Sequence, residues 1–213
     1  MKRCFAVCCL LSLLILPLAA RADVVLVNTF GPGNSYNCCS GWTLGGPNSI
    51  VGLQYIAMQF TDPVTTNLKQ IDLAAGWVLG TNSLTLELAV DNNNSPGAVL
   101  ESWTLGPLGP FGSVNPPLTA VSVLMPLLMA GTTYDVVAIP ANDEWAAWNL
   151  NDQGFVGQFL FTQDGTNWHT DNDVLGAYDV IGKGGATTPE PASMLLLGSG
   201  ITLIASRLRR GRK

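Results

Sequence analysis

Apolar and polar residues alternate most regularly between Ser83 and Val90. In an extended conformation Leu84, Leu86 and Leu88 share one face of this segment, while threonine and glutamate occupy the other. A period of two is the pattern of a strand with one buried face. Residues 91–97 consist of Asp, Asn, Ser, Pro and Gly, which is the composition of a turn. The pattern therefore predicts a strand followed by a turn.

Other short apolar or alternating segments also have the length of strands. They are 24–30, 49–60, 68–77, 98–105, 118–125, 132–139, 144–149, 154–162 and 174–181. Segment 98–105 is predicted to return beside 83–90 as a hairpin partner. Residues 31–46, rich in Gly, Asn and Ser, are predicted to form a loop, and 163–167 a turn. The body of the chain contains no long amphipathic helical pattern.

About eight to ten short strands at this spacing indicate an all-β fold, a single β-sandwich or jelly-roll domain over residues 23–181. The pattern leaves open whether strands swap between sheets as in a jelly roll. Residues 182–188, rich in Gly and Thr, predict a flexible spacer. An N-terminal signal helix and a short C-terminal hydrophobic helix are expected to flank the domain.

Residues 1–22 have the three parts of a secretory signal peptide. Lys2 and Arg3 precede an apolar segment, 5–18, and Ala20-Arg21-Ala22 fits the small-x-small cleavage pattern. We therefore predict export by the Sec machinery and cleavage before Asp23. The alternative is an uncleaved anchor helix, although the segment is short for a membrane span.

The C-terminal 25 residues have a different order of parts. Pro189, Glu190 and Pro191 precede an apolar run, 192–206, and a basic end follows that contains Arg207, Arg209, Arg210, Arg212 and Lys213. The run is shorter than the roughly 20 residues of a usual membrane span. Basic residues prefer the cytoplasmic side of a membrane. The segment, 189–213, therefore predicts a marginal transmembrane helix and transient membrane association.

Motif, apolar run and basic end together resemble the PEP-CTERM sorting signal of Gram-negative bacteria. The resemblance implies an exported protein whose precursor is held in the inner membrane. An exosortase-type membrane protease would then cut it near Pro189–Pro191, and the product would reach the outer envelope or the extracellular space. Such proteins often accompany exopolysaccharide. The alternative is an ordinary tail anchor that contains Pro-Glu-Pro.

The body also resembles the choice-of-anchor β domains of exported bacterial proteins. The similar segments are 94–100 and 128–134, followed by Trp145, within a region of roughly 65–181. This resemblance implies a β-sandwich without a known activity, and it transfers no catalytic residue.

Charge is distributed very unevenly along the chain. Lys69 and Lys183 are the only basic residues between 23 and 188, against fourteen acidic residues, which gives this part a net charge of −12. Such a body repels phosphate backbones, so nucleic-acid binding is excluded. It suits a soluble protein outside the cytoplasm.

Few residues suggest catalysis or covalent chemistry. His169 is the single histidine, and neither a Gly-x-Ser-x-Gly motif nor a zinc-type cysteine spacing accompanies it. We therefore expect no enzyme. Cys38 and Cys39 are adjacent in the predicted loop. They could join in a strained disulfide that stiffens the loop or acts as a switch, or remain two thiols.

Two binding hypotheses remain. Asp171 and Asp173 place carboxylates close together in a predicted loop, as in calcium sites, although turns need Asp and Asn for backbone reasons alone. Trp145, Trp148 and Trp168 are candidates to stack on sugar rings, with core packing as the alternative.

The sequence thus predicts an exported, non-enzymatic protein of the cell envelope or extracellular matrix, associated with exopolysaccharide. The alternative is a lectin-like carbohydrate-binding module, with or without a calcium requirement. No cofactor is expected apart from the calcium of that alternative.

Overall fold

The computed structural model describes residues 22–184, and it is all-β, as the sequence predicted. Strands account for 59% of this part, and it contains no helix. Residues Asp23–Lys183 form one compact unit. The predicted signal helix and C-terminal hydrophobic helix lie outside the described residues.

The strands are β1 (Val24–Asn28), β2 (Asn37–Gly45), β3 (Tyr55–Thr61), β4 (Thr66–Leu73), β5 (Ala75–Leu79), β6 (Leu84–Asp91), β7 (Pro96–Leu105), β8 (Gly109–Pro110), β9 (Leu118–Val121), β10 (Leu127–Leu128), β11 (Thr133–Pro140), β12 (Trp145–Leu150), β13 (Val156–Thr162), β14 (His169–Val174) and β15 (Tyr178–Gly182).

The largest sheet has six antiparallel strands in the order β14-β13-β3-β11-β6-β7. The predicted hairpin is present in it, since β6 and β7 are paired from Leu84 and Leu105 onward. Leu84, Leu86 and Leu88 are at most 1% exposed, so the alternating pattern does mark a core face.

Two smaller sheets form the opposite side of the core. One has the order β1-β15-β4-β10 with β9 also on β4, and the other has the order β2-β12-β5-β8. They are continuous at Ala74, the single residue between β4 and β5. Its N–H donates to Ala177 O and its carbonyl accepts from Asn149 N–H, at 3.0 and 2.9 Å. The backbone thus changes sheets without leaving its groups unbonded.

One hydrophobic cluster contains side chains from all three sheets. Trp42 of β2 packs on Phe159 of β13 with ring centroids 4.3 Å apart. Tyr178 of β15 donates its hydroxyl to the carbonyl of Gln59 on β3. The six-stranded sheet therefore faces the smaller sheets across a shared core, and burial of these large side chains is the main stabilising term.

The prediction of a loop over 31–46 is wrong for most of this segment, because residues 37–45 form strand β2. Trp42 and Leu44 supply its packing side chains, and β12 supplies its hydrogen-bonding partner. Gly41 does not indicate a loop. It allows two strands to approach closely, since a Cβ at this position would lie 2.7 Å from Trp148 O.

Strand β14 was missed for the opposite reason. It is an edge strand whose residues are almost all exposed, so it carries no apolar alternation. At the end of the body, β15 runs to Gly182, and Lys183 N–H donates to Asn67 O at 2.7 Å.

Candidate binding face on the six-stranded sheet

Four polar side chains form a row across the outward face of the six-stranded sheet. Asn172 is paired with Gln158, and Asp135 is paired with Gln59. Gln158 Nε2 donates to Gln59 Oε1 at 2.7 Å, which joins the two pairs. The row therefore spans β14, β13, β3 and β11. Alternation along each strand places these residues opposite the core face.

The hydrogen bonds of this row continue into the turn between β6 and β7. Gln158 Nε2 also donates to Asn94 Oδ1 at 2.6 Å, and Gln59 Nε2 donates to Asp91 Oδ1 at 2.8 Å. Asp91 Oδ1 in turn accepts the N–H of Asn94 at 3.0 Å. Because β11 lies between β3 and β6, the Gln59–Asp91 bond crosses over β11.

Asp135 is the residue of β11 at the level of Gln59. It is 0% exposed, and neither of its carboxylate oxygens has a hydrogen-bond partner among residues 22–184. Burial raises the pKa of Asp135 to about 7, with the neighbouring Gln59 amide lowering it and the Asp91 carboxylate adding to the rise. The group is therefore held close to its midpoint of ionisation at neutral pH.

A cleft with a volume of about 340 Å³ opens over this network. Its lining residues are Gln59, Phe60, Thr61, Asp91, Asn94, Thr133, Gly157, Gln158 and Leu175. Amides and hydroxyls supply both donors and acceptors, and Asp91 is the one carboxylate of the lining. The arrangement suits a neutral ligand with many hydroxyl groups better than an anion.

The other half of the same outward face is apolar. Ala57, Val137 and Leu160 are buried there, and Ile139 and Trp168 pack against them. Trp168 is half-buried, so part of its indole ring faces solvent. The sheet thus presents an aromatic side chain and a polar cleft on one surface.

The structure does not bring the three predicted tryptophans together. Trp148 is 0% exposed, donates Nε1–H to Ala177 O at 3.1 Å and packs edge-on against Tyr178, so its prediction as a glycan contact is wrong. Trp145 is half-buried on β12 of a different sheet. Trp168 lies on the candidate face.

Asp171 and Asp173 lie on the edge strand β14 and not in a loop. Both are exposed, and each carboxylate accepts the N–H of the next residue, at 2.8 and 2.7 Å. Within residues 22–184, no group of three or more His, Cys, Asp or Glu side chains is placed to hold a metal ion. Calcium binding by these two residues stays a prediction.

Cys38 and Cys39 lie on β2 with their sulfur atoms 2.8 Å apart, as two free thiols. The hydrogen bond from Cys38 raises the pKa of the Cys39 thiol. A raised pKa disfavours the reactive thiolate. His169 lies on β14 beside Phe161, with ring centroids 5.5 Å apart.

Sequence reasoning missed the polar row of the six-stranded sheet, above all Gln59, Asp135 and Gln158. A signal was present, because Gln59 and Asp135 each interrupt an otherwise apolar strand, in the segments Tyr55–Thr61 and Thr133–Pro140. A polar residue in such a strand is costly unless it is satisfied or used.

The C-terminal part was compared with known families. Residues 187–213 match the family model described as the PEP-CTERM protein-sorting motif. The chain carries a PEP-CTERM sorting motif. This finding is consistent with an exosortase substrate and with export toward the envelope or the extracellular space. No curated protein matches the chain.

The predicted motif residues Pro189, Glu190 and Pro191 and the basic residues Arg207, Arg209 and Arg210 fall within this match. They lie outside the described residues. Among residues 22–184 no helix has the length and hydrophobicity that a membrane span requires.

Proposed function

We propose that this protein is a non-enzymatic component of the cell envelope or of an exopolysaccharide-rich matrix, released from the membrane by an exosortase. The PEP-CTERM motif at 187–213 is the observation on which the proposal rests. The acidic, all-β body supports it, because net charge far from zero keeps an exported domain soluble.

The hydrogen bonds that two carboxylates accept support a structural use for both of them. Glu101 accepts hydrogen bonds from Ser122 Oγ and from the N–H groups of Val123 and Leu124. Asp164 organises the turn after β13 in the same way, with bonds from Thr166 and Asn167. These bonds lower the pKa of Asp164.

The processing step can be tested in the exporting bacterium. Replacing Pro189, Glu190 and Pro191 together by Ala should leave an uncut precursor that fractionates with the membrane. A matched control replaces Gly184 and Gly185, which precede the matched residues 187–213, by Ala. Mass spectrometry of the mature wild-type protein should find no peptide that contains Lys213. An intact C-terminus in the mature protein contradicts the proposal.

Carbohydrate binding is the second candidate function, and the cleft on the six-stranded sheet favours it. Planar amides pair well with vicinal hydroxyl groups because they offer a donor and an acceptor side by side. Trp168 adds an aromatic face on the same surface. This site replaces the predicted set of three tryptophans.

A glycan array with the purified protein tests this second function. Binding of neutral glycans by the wild type should fall at least tenfold in Gln59→Ala and in Gln158→Ala, since each loses an amide of the cleft. Gln163→Ala, an exposed residue in the turn after β13, should bind as the wild type does. Running the array with calcium and with a chelator decides the calcium requirement. Equal binding by all variants removes the cleft as the site.

A further inference from the structure

A short segment beside β4 exposes an unusual number of large apolar side chains. Six of them, between 43% and 78% exposed, belong to the stretch 121–129: Val121, Val123, Leu124, Met125, Leu127 and Met129. We call this stretch the apolar loop. A contiguous apolar surface on an exported protein marks an interaction site more often than scattered single residues do.

The first half of the apolar loop is held by a buried carboxylate. Glu101 of β7 is 6% exposed, and its Oε1 accepts the N–H groups of Val123 and Leu124 at 2.7 and 3.0 Å. Its Oε2 accepts the hydroxyl of Ser122. Hydrogen bonds to a charged acceptor are about twice as strong as neutral ones. The exposed side chains of Val123 and Leu124 are therefore held in place by an ordered turn.

The second half of the apolar loop is fixed to β4. Asn67 Nδ2 donates to Met125 O at 2.8 Å, and Leu68 N–H donates to the carbonyl of Pro126 at 2.9 Å. Met125 has φ of 47°, in the left-handed region that a bulky side chain rarely adopts. The surrounding bonds hold this strained conformation, which keeps the side chains pointed away from the core.

The chain leaves the body close to the apolar loop. Lys183 N–H donates to Asn67 O, and Thr66 Oγ1 donates to Lys183 O, each at 2.7 Å. Asn67 thus contacts both the loop and the last residue of the body. Only residues 184–191 separate this exit from the apolar run of the sorting motif, and they reach at most about 28 Å when fully extended.

Charge near the apolar loop differs from charge on the rest of the body. Lys69 and Lys183 are next to it, and the Lys69 ammonium pairs with Asp23. Asp62 is buried at 1% exposure. Apart from Asp23, whose charge is paired with Lys69, exposed carboxylates lie on other elements, at Asp143, Asp152, Asp164, Asp171 and Asp173. An anionic lipid surface is therefore not repelled at this place.

We propose that the apolar loop docks into the surface of the lipid bilayer that holds the sorting segment. Docking keeps the body against the membrane until the tail is cut. This proposal depends on the proposed function, because the sorting motif is what identifies the bilayer. Its readout is separate from processing, because it is measured on the uncut chain.

Peroxide oxidation of methionine tests the docking. The full chain is reconstituted into vesicles of phosphatidylethanolamine and phosphatidylglycerol, and the oxidation of Met125 and Met129 is followed by mass spectrometry. Both should oxidise about tenfold more slowly in the wild type than in a Val123→Asp, Leu124→Asp variant, since lipid shields the thioethers from aqueous peroxide. Met58, 0% exposed, reports on folding in every sample.

Ile50→Asp is the matched control, because Ile50 is 74% exposed in a different loop, and it should leave the protection of both methionines intact. If the double variant oxidises rapidly at Met58, the single variant Leu124→Ser replaces it. Equal rates in wild type and variant overturn the proposal. Protection that requires a membrane protein in the vesicles also overturns it. Protection that disappears when the chain is diluted in lipid overturns it as well, because such protection would come from self-association.

Discussion

Glu101 and Asp135 are two buried carboxylates with opposite surroundings. Glu101 receives three hydrogen bonds and holds the turn of the apolar loop. Asp135 lies under the Gln59–Asp91 bond, and neither oxygen has a partner among the described residues. A satisfied carboxylate stabilises the fold that contains it, whereas an unsatisfied one costs free energy when it is charged. The difference separates an acid that holds a turn from one that is buried without a partner.

The largest effect is expected from Glu101→Ala. Three donors lose a charged acceptor, at about 1.5 kcal/mol each, so the free energy of unfolding should fall by about 4.5 kcal/mol. Urea denaturation followed by tryptophan fluorescence measures the loss. Glu87→Ala, on the outward face of the neighbouring strand β6, is the matched control and should cost less than about 1 kcal/mol. An unchanged stability in Glu101→Ala removes the distinction between the two acids.

The next effect is a pH dependence at Asp135. Its pKa is raised to about 7, so the folded state binds a proton that the unfolded state releases at lower pH. The stability that this group contributes is complete below the ordinary carboxyl pKa of about 4 and is lost as the pH rises through 7.

Asp135→Asn removes this loss. Between pH 4 and pH 8 the stability of the variant relative to the wild type should therefore rise by about 4 kcal/mol, because each unit of the raised pKa corresponds to about 1.4 kcal/mol. Urea titrations at several pH values measure the difference. Asp173→Asn, an exposed control on β14, should show no such trend. A difference between Asp135→Asn and wild type that is independent of pH contradicts the raised pKa.

The smallest effect is expected from Gln59→Ala. The Gln59 amide lowers the pKa of Asp135, so its removal should raise the pKa of the carboxyl group above about 7. An NMR titration of the Asp135 carboxyl carbon follows this shift. Gln163→Ala should leave the titration unchanged. A midpoint that stays at or below about 7 in Gln59→Ala contradicts this role of the amide.

Prediction from sequence was most successful where a pattern is local. The hairpin of β6 and β7 follows from alternation and turn composition within one short segment. Prediction failed for β2, because Gly41 reflects contact with a strand more than 100 residues away, at Trp148. It also failed for β14, whose exposed edge position requires no apolar pattern.

The candidate site was predicted only in part, and Trp168 is the one predicted contact that lies on it. Trp148 has the same chemistry, yet its position on the inward side of β12 buries it completely. Which side of a strand faces the core depends on the sheet that it joins, and that information is not local.

The sequence by itself determined where this protein is sent, because a sorting motif is recognised as one contiguous stretch, 187–213. It also determined the all-β class, through short-range alternation. Only the tertiary structure decided what the surface offers. The cleft joins Gln59, Asp91 and Gln158, and the apolar loop depends on Glu101 and Asn67, all of which meet through pairing between distant strands. Such contacts are fixed by the packing of whole sheets around one core.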